Sequence, residues 1–257
     1  MTKLLAGMLH LPPLPGAPLG RSSLDAIEKQ VLADARILLE AGFDAAILEN
    51  YGDVPFFKDR VEPVTVASMT RLAAAVRGEA GALRLGINVL RNDTLSALAI
   101  AFAAGADFIR VNVHVGATAT DQGVIEGRAA DTLRLRAALG AEVAIWSDVH
   151  VKHGRSLAHP SIEGEAEDAV LRGLADALIV SGRATGEPAS LEEVRLVKAL
   201  DLGVPVYVGS GVNEENLREV LASSDGVIVG TALKEGGRTA NPVERDRALR
   251  FVEKARG

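Results

Sequence analysis

Four times along the chain, a helix-patterned stretch closes on a small residue and an aspartate, and an apolar run begins at once. The junctions are Ala41-Gly42-Phe43-Asp44 before Ala45-Ala46-Ile47-Leu48, and Ala104-Gly105-Ala106-Asp107 before Phe108-Ile109-Arg110-Val111. Gly173-Leu174-Ala175-Asp176 before Ala177-Leu178-Ile179-Val180 and Ser223-Ser224-Asp225-Gly226 before Val227-Ile228-Val229 complete the set. Helical periods alternating with short apolar runs, joined by short helix-to-strand links, form the βαβ pattern of a parallel sheet. The pattern predicts strands near 3–10, 43–49, 83–89, 107–114, 142–150, 176–181, 204–209 and 226–230. Helices are predicted near 24–41, 63–78, 93–105, 128–139, 163–173, 190–202, 213–222 and 242–256. Ser190 with Glu193, and Asn241 with Glu244, have capping-box spacing, and Pro242 suits a first helical position. Asn213 before Glu214 and Glu215 suits another helix start.

Eight strand–helix pairs in 257 residues predict an α/β fold, a single (β/α)8 TIM barrel spanning 1–257. Loop lengths agree. The links from strand to helix are long after strand 1 (11–23), strand 2 (50–62), strand 4 (115–127) and strand 5 (151–162). In a barrel these all project from the C-terminal face, where active sites are built. Hydrophobic residues reach 48% but aromatics only 4%, so Ala, Gly and Val carry much of the packing. The net charge of −6, without a long basic run, argues against nucleic acid as a partner. The absence of cysteine removes disulfides and thiolate catalysis. The apolar N-terminus is too short for a signal peptide or membrane span, which points to a cytoplasmic protein, with peripheral membrane attachment left open. Alanine-rich helices suit a homo-oligomer.

Strand parity then singles out polar residues. On strand 4, Ile109, Val111 and Val113 share one face, and Arg110, Asn112 and His114 share the other. The outer helices need the apolar face, so the polar set is expected inside the barrel. The same argument turns Asp148, His150 and Lys152 of strand 5 inward, and Asn88 of strand 3 with them. His10 ends strand 1 and Glu49 ends strand 2. Ionisable groups inside a barrel pair, bind a ligand or shift their pKa. Glu49, Asp148 and His150 are therefore acid–base candidates, and Arg110, Asn112 and Lys152 candidates to stabilise negative charge. Plain alternatives stand beside these: Arg110 and Asp148 as a structural ion pair, His10 as a cap on the Pro-rich loop, and Lys152 and His153 as solvated loop residues. His10, Glu49, His114 and His150 suit a divalent metal by type, but no local ligand spacing supports one, and no cofactor is expected.

Two glycine-rich turns follow the last strands: Gly209-Ser210-Gly211 and Gly230-Thr231. Glycine there lets backbone N–H groups approach an anion, and a barrel places its phosphate site after strands 7 and 8. Ser181 and Gly182, with Arg183 and Thr185 beyond them, add hydroxyls and a cation at the same rim. The turns also suit simple strand-to-helix connections.

The motifs Gly7-Met8-Leu9-His10-Leu11-Pro12-Pro13-Leu14-Pro15-Gly16, Glu49-Asn50-Tyr51-Gly52-Asp53-Val54-Pro55-Phe56 and Arg110-Val111-Asn112-Val113-His114-Val115-Gly116 occur in order. Ser147-Asp148-Val149-His150-Val151-Lys152-His153 and Val180-Ser181-Gly182-Arg183-Ala184-Thr185-Gly186 follow. Together they resemble the BtpA/SgcQ family over nearly the whole chain. The resemblance implies a TIM-type barrel without fixing a reaction. The family's name comes from a photosystem I biogenesis factor, and other members are associated with sugar metabolism. Two functions follow. The first is an enzyme acting on a small phosphorylated metabolite, a sugar phosphate or ribosyl compound, by isomerase, lyase or hydrolase chemistry. The second is a non-catalytic assembly factor that presents the Pro-rich segment 11–19 and Phe56-Phe57 to a partner. Polar residues on five strands favour the enzyme.

Overall fold

The structure, a computed structural model, describes residues 3–182 and 186–257. The alternating pattern becomes β1 (Leu4–His10), α1 (Leu24–Ala41), β2 (Ala45–Glu49), α2 (Pro63–Glu79), β3 (Arg84–Asn88), α3 (Thr94–Ala104) and β4 (Phe108–Val111). After β5 (Ala117–Thr120) and β6 (Gly123–Glu126) come α4 (Ala129–Leu139), β7 (Ala144–Val149) and β8 (Gly154–Ser156). Then follow α5 (Ile162–Glu167, prolonged by a π-helical turn to Arg172), β9 (Ala177–Val180), α6 (Leu191–Ala199), β10 (Val206–Val208), α7 (Leu217–Ser223), β11 (Gly226–Val229) and α8 (Arg245–Arg256). The strands β1-β11-β10-β9-β7-β4-β3-β2 pair in parallel and close into a barrel.

The recurrent aspartates build the base of this barrel. Asp44 accepts a hydrogen bond from an amide at the start of a neighbouring strand, Leu5 N, at 2.7 Å, and Asp107 does so from Leu85 N at 2.7 Å. Asp176 takes Ile145 N and Asp225 takes Val206 N, each at 2.8 Å. Each carboxylate also meets a cation from a surrounding helix: Arg256, Arg77, Arg136 and Lys198 in turn. An amide in the first two residues of every second barrel strand thus gains a side-chain acceptor.

Inside the barrel, the lower layers are apolar. Phe108 and Trp146 stack with centroids 3.6 Å apart, and Tyr207 leans on Trp146 at 4.8 Å. Ala6, Met8, Ile47, Ile179 and Ile228 fill the space around them. Phe108, Trp146 and Tyr207 thus make an aromatic plug below the polar mouth. A larger apolar layer separates the barrel from its helices.

Three predicted features come out differently. Strand 4 stops at Val111 rather than 114, because the Asn92 side chain replaces a neighbouring strand: its Nδ2 donates to Val113 O at 2.8 Å and its Oδ1 accepts from Val113 N at 2.9 Å. The long links after strands 4 and 5 are not wholly irregular, since β6, β5 and β8 form a small antiparallel sheet across them. The last helix starts at Arg245 rather than 242, and the Asn241 capping box does not form. Asn241 Nδ2 donates to Glu235 O at 2.8 Å, and Val243 N to the buried Asp34 at 2.9 Å, so 241–243 are held extended. By contrast, Ser190 Oγ accepts from Glu193 N and caps α6. Among the described residues, no helix is long and apolar enough to cross a membrane.

Candidate functional site

The upper end of the barrel carries a buried polar network. Arg110 of β4 grips Asp148 of β7 with two parallel hydrogen bonds, Nε to Oδ2 at 3.0 Å and Nη2 to Oδ1 at 2.8 Å. Asn112 Nδ2 donates to Oδ2 at 2.8 Å, and Ser181 Oγ to Oδ1 at 3.2 Å. Asn88 Nδ2 donates to Arg110 O at 3.0 Å and lies 3.3 Å from Asn112 Oδ1. Four donors fill the four acceptor positions of the Asp148 carboxylate. Asp148 is thus the counter-ion that holds Arg110, and it has no lone pair left to act as a base. Burial alone would lower the Arg110 pKa, but Asp148 and Glu49 outweigh it and the guanidinium is held above its ordinary value.

A second pair stands beside the first. His10 Nε2 lies 3.7 Å from Glu49 Oε1, and the His10 ring packs on Tyr51 at 4.8 Å. Burial, then the charges of Lys234, Lys152 and Arg110, hold the imidazole well below its ordinary pKa, so His10 is neutral beside a carboxylate. Its Nδ1 is buried without a hydrogen-bond partner among the described residues. Gly230 is the residue that makes room for it, since a Cβ there would fall 2.6 Å from His10 Cε1.

Lys152 follows β7, in the turn that leads into β8. Its Nζ makes no hydrogen bond or ion pair with a described residue. Burial, then Arg110, lowers its pKa; Glu49 and Asp148 oppose the shift, and Arg91 adds to it. The buried Arg91 donates from Nη2 to Lys152 O at 2.6 Å and fixes the backbone of this turn.

These groups meet the glycine turns in one cavity of about 190 Å³, lined by His10, Arg110, Lys152, Gly209–Val212 and Gly230–Ala232. Gly209 N is used by Val180 O at 2.8 Å. The N–H groups of Ser210, Gly211, Thr231 and Ala232 donate to no described residue. The hydroxyls expected at this rim are committed elsewhere. Ser210 Oγ accepts from Gly182 N at 2.6 Å and donates to Glu187 O at 3.0 Å, and Thr231 Oγ1 pairs with Thr239 Oγ1 at 2.9 Å. Gly211 has φ +68°, and a Cβ there would meet Pro188 at 2.3 Å. Arg183 and Thr185 lie outside the described residues.

Two expected members turn away. His114 lies beyond the end of β4, with Nε2 2.7 Å from Gly173 O, among the outer helices rather than in the barrel. His150 has φ +48°, which breaks the strand's alternation and swings the ring outward. Its Nδ1 stands 3.7 Å from Glu193 and its Nε2 3.9 Å from Glu165, in a separate groove with His153, His159 and Ser190. His114 and His150 therefore do not join the His10–Glu49 pair, and among the described residues no group of three or more His, Asp or Glu side chains is placed to hold a metal. Sequence reasoning missed Arg91, Asn50 and Asn92. All three sit just past strand ends, and that position was the available signal. Asn50 Oδ1 accepts from Leu90 N at 2.7 Å, tying one rim loop to the next.

Comparison with known proteins fits this architecture. N-(5'-phosphoribosyl)anthranilate isomerase from Pyrococcus furiosus superposes with a TM-score of 0.59 over 98% of both chains, at 16% identity, which is likeness of fold. An uncharacterized protein of Thermococcus kodakarensis is 48% identical across 99% of this chain and 95% of its own. The photosystem I biogenesis protein BtpA of Synechocystis is 43% identical across 96% and 86%. The BtpA family model matches residues 1–257, and the chain belongs to the BtpA family.

Proposed function

We propose that this chain is an enzyme acting on a small phosphorylated metabolite, a sugar phosphate or ribosyl compound. The observation that carries the reading is the shared cavity: unpartnered backbone N–H groups of the glycine turns line it together with His10, Arg110 and Lys152. Fixed N–H dipoles suit a phosphate, and Lys152, unlike the Asp148-paired Arg110, has no carboxylate partner among the described residues to offset its charge. The neutral His10 with Glu49 behind it suits proton transfer at the carbon next to a carbonyl, the step common to isomerase and lyase chemistry. The barrel shared with an enzyme named for a phosphoribosyl substrate supports this choice through fold alone.

The test is melting temperature with ribose 5-phosphate against ribose, and dihydroxyacetone phosphate against dihydroxyacetone. A ligand at 100 times its Kd adds about 2.7 kcal/mol, or roughly 5 °C for a chain of this size. Gly211 and Gly230 are unsuitable test positions, because side chains there would collide with Pro188 and His10. Ala232→Glu instead adds a carboxylate at a residue that lines the same cavity, and it is expected to abolish a shift specific to the phosphorylated compounds. Equal shifts with and without phosphate, or none, would refute the phosphate site.

One observation favours a partner-binding reading: Leu19, Val54 and Phe57 are exposed on the rim loops after β1 and β2. Under that reading, Phe57→Ser weakens capture of a partner while Lys152→Met does not.

A further inference from the structure

The enzyme reading uses Lys152 as a charge, but the structure spends unusual effort on placing it. Arg91 is buried, and its Nη2 holds the Lys152 carbonyl at 2.6 Å. The strand that enters the turn is fixed in the barrel, and the strand that leaves it, β8, is fixed in the small sheet through Thr120 opposite Gly154 and Ala119 opposite Arg155. Val151, next in sequence, is buried with Val113 and Ile125. The backbone is pinned on both sides, yet the amine itself is given to no carboxylate among the described residues. Asp148 is saturated by other donors, and Glu49 faces His10. This differs from the fully buried Lys234, whose Nζ is paired to Asp34 at 3.2 Å.

We propose that Lys152 is a nucleophile that condenses with the carbonyl of a phosphorylated aldehyde or ketone to form an imine within the barrel mouth. The proposal rests on the phosphate site of the preceding section and names the substrate class more narrowly. The cavity of about 190 Å³ joins the Lys152 side chain to the glycine turns and His10. A phosphate on the N–H groups would therefore present a carbonyl a few bonds away to the amine. The neutral amine adds to the carbonyl carbon, forming the C–N bond, and its proton passes to the oxygen. The C–O bond then breaks with delivery of a second proton, through His10 and Glu49, and water leaves. No oxidant or reductant is needed. The resulting iminium acidifies the adjacent C–H, which the same His10–Glu49 pair is placed to deprotonate. The lowered pKa of Lys152 agrees, because only the uncharged amine attacks.

The test uses the full chain with dihydroxyacetone phosphate or ribose 5-phosphate as the probe, sodium borohydride as the trap, and intact-mass and peptide mapping as the readout. The expected result is a single adduct of probe mass less one oxygen on Lys152. It should be lost in Lys152→Met and Lys152→Arg, and absent with dihydroxyacetone or ribose. Lys152→Arg is expected to keep the phosphate-dependent melting shift, which separates charge from nucleophilicity. A melting shift without an adduct, or adducts scattered over surface lysines alike in wild type and Lys152→Met, would overturn the imine while leaving the phosphate site standing. Neither shift nor adduct with either probe would overturn both.

Discussion

Replacing Asp148 by asparagine isolates the role of the buried ion pair, because the change keeps shape and removes one charge. The Asp148 and Arg110 side chains are 0% and 1% exposed, so water cannot compensate. In Asp148→Asn one position becomes an NH2 group. If it lies toward Ser181, the hydroxyl can turn and accept, but Arg110 Nη2 then faces a donor. If it lies toward Asn112, Nδ2 also faces a donor, and Asn112 cannot flip without losing its contact with Asn88. Either way the guanidinium is left buried without its counter-charge. Breaking one partner of such a pair costs about 3–5 kcal/mol. At about 2 °C per kcal/mol for a chain of this length, the melting temperature should fall by roughly 6–10 °C. Arg110→Met should cost a similar amount by stranding the carboxylate. The double variant Arg110→Met/Asp148→Leu fills the space with apolar atoms and is expected to recover much of the loss, since well-packed apolar replacements of buried pairs are often neutral. Urea denaturation of wild type, Arg110→Met, Asp148→Leu and the double variant closes the cycle and measures the coupling. Single variants costing under about 1 kcal/mol, or additive losses in the double variant, would refute the view that Asp148 and Arg110 exist as one neutralised unit.

Other outcomes follow from the same geometry. Asp107→Ala strips the acceptor from Leu85 N and the partner from Arg77, and it should lower the urea midpoint by an amount worth about 1–3 kcal/mol. His10 and His114 both have pKa values lowered by burial, so the unfolded chain takes up protons below about pH 6.5 that the fold resists. Stability should therefore fall as pH drops from about 6.5 toward 5, by up to about 1.4 kcal/mol per unit for each histidine, and His10→Gln should remove its share of that slope in pH-dependent melting. A slope identical in His10→Gln would show that His10 titrates normally. His150→Ala, in its separate groove, should leave the phosphate-dependent melting shift intact, and loss of that shift would show that the groove and the cavity act together.

What the sequence disclosed and what it hid divide along a physical line. The barrel was legible because its signals are local. Four helix-to-strand junctions carry an aspartate, and each of these bonds a neighbouring strand whichever residues fill the middle of the helix. Parity correctly turned Arg110, Asn112 and Asp148 toward one another because Arg110 and Asp148 sit on regular β4 and β7 and Asn112 follows β4 by a single residue. It failed for His114 and His150 because parity holds only while the backbone stays extended. Asn92 ends that regime at Val113, and the positive φ of His150 ends it one residue after β7. Alternation names which face a residue takes, but not where alternation stops, and the stopping point is set by side chains distant in sequence. The hydroxyls of Ser181, Ser210 and Thr231 show the same limit. Their type suited a phosphate, yet Asp148, Glu187 and Thr239 had already engaged them, which leaves backbone amides as the donors free to meet an anion. A site built from main-chain N–H groups tolerates changes in the side chains around it, provided Gly211 keeps its positive φ and Gly230 keeps room for His10. Variation at Ser210 or Thr231 would therefore disturb loop packing before it disturbed an anion, whereas on the proposed imine role variation at Lys152 would remove the nucleophile and leave the fold in place.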